Sequence, residues 1–560
     1  MGQAMERRWL AHYAAGVPAE IPPPTGSLVD LLDGAVSRFR GQAALEFFGA
    51  EMTYRELGEA VSEVAEGLRR LGVQAGDRVA LVLPNCPEHI LAFYGALRLG
   101  AVVVEHNPLY TTEELSKIFA DHGARVAIAW DKVVPSLRAM TGPHALKDVV
   151  SVDITSSMPL FKRVALSLPL KKARTLRAAL TAPAEDAIAF ESLRKHGRLD
   201  PRHPRPVVRD LAAIQYTSGT TGHPKGAMLA HGNLVANAAQ GRAWVPGLID
   251  GREVIDAVLP MFHAYGLTLC VTFAMSIGAR LVLFPKFDVD LVLDAARKHP
   301  PTFIPAVPPI YERLATVAKR RGIDLHSVRF AISGAMSLPP STLALWEEVT
   351  GGLLVEGYGL TESSPVAIGN PLGPTRRPGA VGIPFPSTDI RVVDPEAPSE
   401  DRPPGESGEL LLRGPQIFMG YWRQPEETQK VLLEGGWLRT GDIVRVDEDG
   451  FVSVIDRIKE IIITGGFNVM PSEVELVLKD LPGVTDAAVV GLPSSGMGEQ
   501  VVAAVTVSDD AFDPEAARAV CRARLAAYKV PRKIVVMDEL PRSIVGKVQR
   551  RQVRDALLDA

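Results

Sequence analysis

Beginning at Arg78 the apolar positions fall into short alternating blocks. VALVLP (79–84) is a continuous apolar run that reads as a buried strand, and NCPEHILAFYGALRLG (85–100) reads as a helix ending in glycine. AVVVEH (101–106) is a second strand, TTEELSKIFADHG (111–123) a capped helix and ARVAIAW (124–130) a third strand. The alternation returns after residue 250, through AVLPMF, a long apolar helix, RLVLFP, DLVLDAARKH, TFIPAVP, IYERLATVAKRRG, VRFAISG, a helix opening at LPPSTLALWEEVTG, and LLVEGYG. Parallel strands need helical crossovers, so two such stretches predict two parallel sheets with helices on their faces. From about 388 to 455 the texture changes to short strands, DIRVVD, GELLLRG and GFVSVID, separated by the turns PPGESG and DEDG. Past Asp456, PSEVELVLKDL, DAAVVGLP, VVAAVTV, PEAARAVCRARLAA and IVVMDEL make an α+β unit of about a hundred residues. The expected fold class is α/β. A large N-terminal domain over 1–455 holds two parallel-sheet subdomains and the β-rich part at about 388–455, and a smaller α+β C-terminal domain covers 456–560.

Composition excludes several classes. The 560 residues are 46% hydrophobic and 22% charged, enough apolar side chain to rule out wholesale disorder. Lys plus Arg number 61 against 65 Asp plus Glu, a net charge of −4, so no global basic field exists to hold nucleic acid. The three cysteines, Cys86, Cys270 and Cys521, are too few for a disulfide framework and fit a reducing cytoplasm. The opening MGQAMERRWLAHYAAG has no sustained apolar core and places Glu6 where a myristoylation pattern has Ser or Thr, so no export or lipid signal is expected. The most apolar stretch, Ala264 to Ala279, falls short of the roughly 20 residues that cross a bilayer and is read as a buried helix. The sequence also lacks HExxH, CxxC and GxSxG, leaving zinc and serine-elbow hydrolases without support.

The run Pro159 to Thr181 stands apart. It carries Lys162, Arg163, Lys171, Lys172, Arg174 and Arg177 with no acidic residue, interleaved with Leu, Val and Phe. Two readings stand: an interfacial amphipathic element attracted to anionic lipid, or a solvated connection in which Pro169 breaks any single helix.

The chemistry concentrates in YTSGTTGHPKGAMLAHGNL (216–234), which follows the strand-like LAAIQ. Thr217, Ser218, Gly219, Thr220 and Thr221 precede Gly222 and Lys225. Small residues let the backbone approach phosphate oxygens, hydroxyl and N–H groups donate to them, and a lysine neutralises charge. This is a phosphate cradle, and because Lys225 lies between Pro224 and Gly226 it is not a Walker A loop. In EGYGLTE, Gly357 and Gly359 permit a tight backbone path, Tyr358 offers an aromatic face for a purine, and Glu362 is a carboxylate able to hold Mg²⁺. TGDIVRVDEDGFVSVIDR supplies Asp442, suited to accept from two ribose hydroxyls, and Arg457, a planar donor; Asp447, Glu448 and Asp449 read as a solvated hairpin turn with Gly450.

These motifs, with PMFHAYG (260–266), ISGAMSLP (332–339), GWLRTGDIVRVDEDGFVSVIDRIKEIIITGGFNVMPSEVE (436–475) and PRSIVGKVQRRQVR (541–554), resemble the adenylate-forming superfamily in type and order. That superfamily includes acyl-CoA synthetases, peptide-synthetase adenylation domains and firefly luciferases. The resemblance covers roughly 27–555 and is greatest to bacterial long- or medium-chain fatty-acid-CoA ligases. It implies that Gly334, Ala335, Met336, Gly357 and Tyr358 flank adenine, that Thr361 contacts phosphate, and that Glu362, with Thr217, ligates magnesium. Further, it implies that Asp442 and Arg457 hold ribose or phosphate, that His263 lies by the acyl pocket, and that Lys547 is the catalytic lysine. Lys459 becomes the hinge of a mobile C-terminal domain and the Gly465-Gly466 loop the coenzyme A path; Arg550 and Arg551 read as surface residues. The implied reaction is ATP- and Mg²⁺-dependent formation of an acyl adenylate, then transfer of the acyl group to CoA. Three alternatives remain open: delivery to a carrier-protein pantetheine, oxidation of the adenylate, and a non-catalytic acyl-nucleotide sensor. Neither Trp244 nor Trp346 is assigned to a pocket by the sequence.

Overall fold

In a computed structural model of the chain the described residues are 5–217, 224–464, 467–494, 498–508, 512–543 and 546–558. Packing divides the chain into two compact units, one of Leu10–Asp389 with Arg413–Leu438, the other of Met1–Trp9, Ile390–Leu412 and Arg439–Ala560. Much of the β-rich stretch expected in the large domain thus falls in the same unit as the C-terminal residues.

The larger unit is built on two sheets. In the first, among the described residues, seven strands run in the order Ile188–Ala189, Asp148–Val152, Val126–Trp130, Arg78–Val82, Val102–Glu105, Leu211–Thr217, Lys225–Ala230. The strand–helix alternation of 78–130 is present as expected, with Arg78–Val82 parallel to both Val102–Glu105 and Val126–Trp130. Local chemistry sets the crossovers. Thr111 and Glu114 cap the helix Thr112–His122 reciprocally, and Gly123 ends it at φ 65°, a left-handed conformation that costs glycine little.

Among the described residues the second sheet has nine strands, in the order Ile383–Pro384, Val366–Gly369, Leu353–Gly359, Phe330–Ser333, Phe303–Ala306, Val254–Ala257, Arg280–Leu283, Ala43–Phe47, Ala50–Thr53. Its interior is parallel, but both ends turn antiparallel, as does the last pair of the first sheet. The expectation of two parallel sheets therefore holds for the interiors. The apolar stretch after His263 is a buried helix as read, although Leu267–Phe273 winds with wider π-type turns between Ala264–Gly266 and Ala274–Ser276.

In the smaller unit the strands Val484–Ser494 and Gly498–Val507 pair antiparallel, and Lys533–Val536 joins the latter in parallel. Period-two alternation splits their side chains between two layers. Val489 and Val505 pack with Val474 and Leu478 of the helix Pro471–Lys479, whereas Val490 and Val502 pack with Val553 and Leu557 of Arg550–Leu558.

The basic run 159–181 forms two helices, Leu160–Ser167 and Lys171–Leu180, interrupted around Pro169 as the sequence requires.

Candidate active site

Thr217 ends one strand and Lys225 begins the next, and the antiparallel register sets them opposite each other, Thr217 Oγ1 donating to the Lys225 carbonyl at 3.4 Å. Ser218, Gly219, Thr220, Thr221 and Gly222 lie outside the described residues. The Lys225 side chain is nearly buried, forms an ion pair with Glu427, and places its ammonium 5.1 Å from the centre of the Tyr421 ring. Hydrogen bonds from Lys225 and then Lys430 hold the Glu427 carboxyl down at about 2.

Glu362 sits in the 3₁₀ turn Thr361–Ser363, one residue beyond the strand that ends at Gly359. Its Oε1 accepts from the Tyr421 hydroxyl at 2.7 Å and its carbonyl accepts from Phe418 N–H at 2.9 Å. Burial, then the negative charge of Glu362, push the Tyr421 phenol upward, so it remains a donor. Among the described residues no donor reaches Glu362 Oε2, which fits a carboxylate that contributes one oxygen to a hard cation whose other ligands are phosphates. The chain's path here depends on Gly359, where an added Cβ would lie 1.8 Å from the Pro365 carbonyl oxygen.

The residues expected around adenine come together at neighbouring strand ends. Ser333 is in register with Glu356, so the loop opening with Gly334, Ala335 and Met336 leaves the sheet beside Gly357 and Tyr358. Gly334 is buried against Tyr265, while Ala335 is exposed and left-handed at φ 68°. Glu356, which the sequence reading did not single out, ties these parts together. Its buried carboxylate accepts from Leu338 N–H at 3.0 Å and Gly379 N–H at 3.3 Å, and burial raises its pKa. A carboxylate inside a buried strand must find donors, and that was the available signal.

His263 caps the apolar helix, its Nδ1 accepting from Tyr265 N–H at 3.3 Å, and burial lowers its pKa so that it stays neutral. Nearby lies an apolar cavity with Gly241, Trp244, Leu269, Phe273, Phe303 and Phe385 on its walls. His263 is not among the lining residues. Trp244 is, stacked on Phe385 at 4.5 Å with its indole N–H donating to the Asn370 carbonyl at 3.2 Å. Trp346 packs instead against Tyr311 in a separate core.

In the smaller unit Asp442 and Arg457 are cross-strand partners, Arg457 Nε lying 3.0 Å from Asp442 Oδ1. The Lys547 ammonium is felt by both: burial lowers its pKa first and Arg457 next, while Glu460 and Asp442 oppose the shift. Lys459 occupies the turn Ile458–Glu460 immediately after Arg457. The expectation that Arg550 is a surface residue is corrected. Its side chain is largely buried, paired with both oxygens of Glu475 at 2.8 and 2.7 Å and with Glu460, because the last helix packs down beside the turn that carries Lys459. Arg551 is exposed, as read. Gly465 and Gly466 lie outside the described residues.

The sequence profile of the AMP-binding enzyme family matches 32–422, and that of the AMP-binding enzyme C-terminal domain matches 473–547. The chain belongs to the AMP-binding enzyme family. This AMP-binding enzyme is 38% identical to a long-chain-fatty-acid–CoA ligase of Bacillus subtilis and 37% identical to one of Escherichia coli O6:H1, each over 98% of both chains. Among solved structures, ATP-bound MatB from Rhodopseudomonas palustris matches with a TM-score of 0.82 at 29% identity, over 95% of this chain and 99% of that one. Among the described residues no helix is long and apolar enough to cross a membrane.

Proposed function

We propose that this enzyme is an ATP-dependent fatty-acid–CoA ligase of the long-chain class. The observation that carries the reading is end-to-end similarity at 37–38% identity to relatives named for that reaction. The side chains support it. In the first step a carboxylate oxygen of the acid attacks the α-phosphorus of ATP, the bond to the β-phosphate breaks, and pyrophosphate leaves. In the second, the CoA thiol attacks the acyl carbonyl, losing its proton, and AMP departs with the bonding electrons. Neither step needs a protein nucleophile, and catalysis reduces to positioning and charge neutralisation.

In this proposal Thr217 and Lys225 receive the phosphates, Gly334 to Met336 with Gly357 and Tyr358 receive adenine, and Asp442 with Arg457 receives the ribose. Thr361 contacts phosphate and Glu362 holds Mg²⁺, which would supply charge neutralisation at the triphosphate. The acyl tail enters at the apolar wall of Trp244 and Phe385, and because the cavity there has a volume of only about 20 Å³, these side chains must move apart to admit a long chain. Lys547 serves adenylation, the Gly465-Gly466 loop the thiol step, and Lys459 is the hinge. The test is a pyrophosphate-release panel running from acetate to octadecanoate, with and without CoA. Pyrophosphate release with long acids, and acyl-CoA with free AMP as end products, are expected. Release confined to acetate, or an acyl adenylate that CoA does not consume, would overturn the reading and favour a carrier-protein acceptor or a different acid.

A further inference from the structure

Trp244, on the wall of the apolar cavity, has a second aromatic neighbour besides Phe385. The Tyr13 ring meets it edge-on, with centroids 5.3 Å apart and planes at 88°, whereas Phe385 stacks on it at 4.5 Å and 24°. Tyr13 is not among the residues that line the cavity, so it reaches Trp244 from outside the wall. Its hydroxyl donates at 2.7 Å to the carbonyl of Pro384, which belongs to the peptide group leading into Phe385. One side chain near the start of the chain thus grips both members of the wall, Trp244 through its ring and Phe385 through the peptide before it.

The segment that carries Tyr13 is tied down on either side of it. The His12 carbonyl accepts from the Thr375 hydroxyl at 2.8 Å, the Ala19 carbonyl accepts from Ser387 N–H at 3.0 Å, and Ile21 N–H donates to Ser387 Oγ at 2.9 Å. Every one of these partners comes from 375–387, the same stretch that places Phe385. The first residues of a domain are ordinarily loose unless anchored, and here the anchors make 12–21 a fixed strap. The Trp244 indole N–H is held as well, by the Asn370 carbonyl, and the Asn370 side chain is fixed by the Arg377 backbone, accepting from its N–H at 2.8 Å and donating to its carbonyl at 3.0 Å.

The cavity behind this wall has a volume of only about 20 Å³, room for about one water molecule. An acyl chain enters only if Trp244 and Phe385 give way, and Tyr13 resists the displacement of both. An edge-on aromatic pair shifts such an equilibrium by about two- to tenfold beyond the area it buries, and a neutral hydrogen bond does so by a similar factor.

We propose that Tyr13 is a positioning residue for the acyl pocket, bracing Trp244 and Phe385 in the closed wall and thereby setting how long an acid the enzyme accepts. The inference rests on the fatty-acid reading above and adds to it a determinant of chain length that lies outside the cavity. A longer acid displaces more of the wall, so the brace discriminates against it more than against a shorter one.

The test compares kcat/KM for octadecanoate and decanoate, by pyrophosphate release, in wild type, Tyr13→Phe and Tyr13→Ala. Tyr13→Phe keeps the ring and loses the bond to Pro384; Tyr13→Ala loses both. The octadecanoate-to-decanoate ratio should rise by about two- to tenfold in Tyr13→Phe and further in Tyr13→Ala. The change should appear as a lower KM for the longer acid, with kcat for decanoate and KM for ATP unchanged, whereas a general loosening of the fold would lower activity with both acids alike. In a Trp244→Ala background, where the ring has no indole to brace, Tyr13→Ala should raise the ratio less than it does in wild type. Should Tyr13→Ala not fold, Tyr13→Phe, which differs from wild type by one oxygen, decides alone. A ratio equal to that of wild type or displaced toward decanoate overturns the proposal, as does full additivity with Trp244→Ala. A wild type that releases pyrophosphate with neither acid brings down the fatty-acid reading itself, whereas an unchanged ratio in a wild type active on both overturns the brace alone.

Discussion

The Tyr421 hydroxyl donates a 2.7 Å hydrogen bond to Glu362 Oε1, and the same aromatic ring lies 5.1 Å from the Lys225 ammonium. One side chain thus touches both the carboxylate proposed to hold Mg²⁺ and the lysine proposed to meet phosphate. Glu427, six residues on, pairs with that lysine. Tyr421→Phe keeps the ring beneath Lys225 and removes only the donor. A hydrogen bond to a charged group contributes about 1.5–3 kcal/mol, so the variant should need about ten- to a hundredfold more Mg²⁺ for half-maximal pyrophosphate release. Its KM for the acid should stay unchanged. Glu362→Ala should cut adenylation by about 10²-fold or more, the scale of a single electrostatic contact in catalysis. A Phe variant with wild-type Mg²⁺ dependence would remove Tyr421 from the positioning of Glu362.

Glu88 provides a pH test away from the site. Its carboxyl is fully buried, with Ser157 donating to Oε1 and Oε2 lacking a partner among the described residues, and burial pushes its pKa up to about 7 from 4.5. A carboxyl whose folded pKa is raised is protonated in the folded chain while the unfolded chain has already ionised. Folding stability therefore falls as pH rises from about 4.5 to about 7 and levels off above, by up to about 3 kcal/mol for a shift of this size. Glu88→Gln should lose this slope. The gap in melting temperature between variant and wild type should move in the variant's favour from pH 5 to pH 8; a constant gap would mean that Glu88 is ionised in the folded protein at neither pH or at both.

Acyl length should respond to the cavity wall. Trp244 ends the helix His231–Trp244 and closes one side with Phe385, and Gly241, one turn earlier, faces Phe273, to which an added Cβ would come within 3.4 Å. Trp244→Ala enlarges the space and should raise kcat/KM for octadecanoate relative to decanoate, while losing about 3–5 kcal/mol of stability. Gly241→Val fills it and should shift the ratio the other way, each by about tenfold or more, the low end of the worth of one methylene in an apolar pocket. Shifts of the same sign in both variants would place the acyl tail elsewhere.

Much of this fold is local pattern and was readable. The strands and helices of 78–130 follow from apolar runs, a capping box and a terminal glycine, all short-range. The strand Ala43–Phe47 was not readable, because its place is set by Leu45 pairing with Leu281 across a distance in sequence that no periodicity spans. The same division applies to the site. Lys225, Glu362 and Asp442 sit in dense motifs that single them out, whereas Lys547 is singled out by family resemblance alone. Tyr421 and Glu427 reach Glu362 and Lys225 only through the tertiary fold, and their own stretch carries no local mark of chemistry. Arg550 reads as solvent-exposed in a basic run, and only the packing of the last helix against Glu475 and Glu460 makes it a buried ion pair.

Lys547 offers the sharpest test of the two-step proposal. Its ammonium is partly stripped of water and repelled by Arg457, which lower its pKa, while Glu460 and Asp442 oppose that shift. Such a group is suited to charge that develops when a carboxylate meets an α-phosphate and has no evident task when a thiol attacks a neutral acyl carbonyl. Lys547→Ala should therefore abolish acyl-adenylate formation and leave conversion of supplied acyl adenylate to acyl-CoA largely intact. Gly466→Leu, at a position outside the described residues, should do the reverse if a side chain there obstructs the pantetheine path. Each purified, folded variant is assayed in both half-reactions, pyrophosphate release for the first and CoA consumption for the second. Equal loss of both halves in both variants would mean that the two residues serve one shared arrangement, and neither the hinge at Lys459 nor the division of labour between Lys547 and the glycine loop would stand.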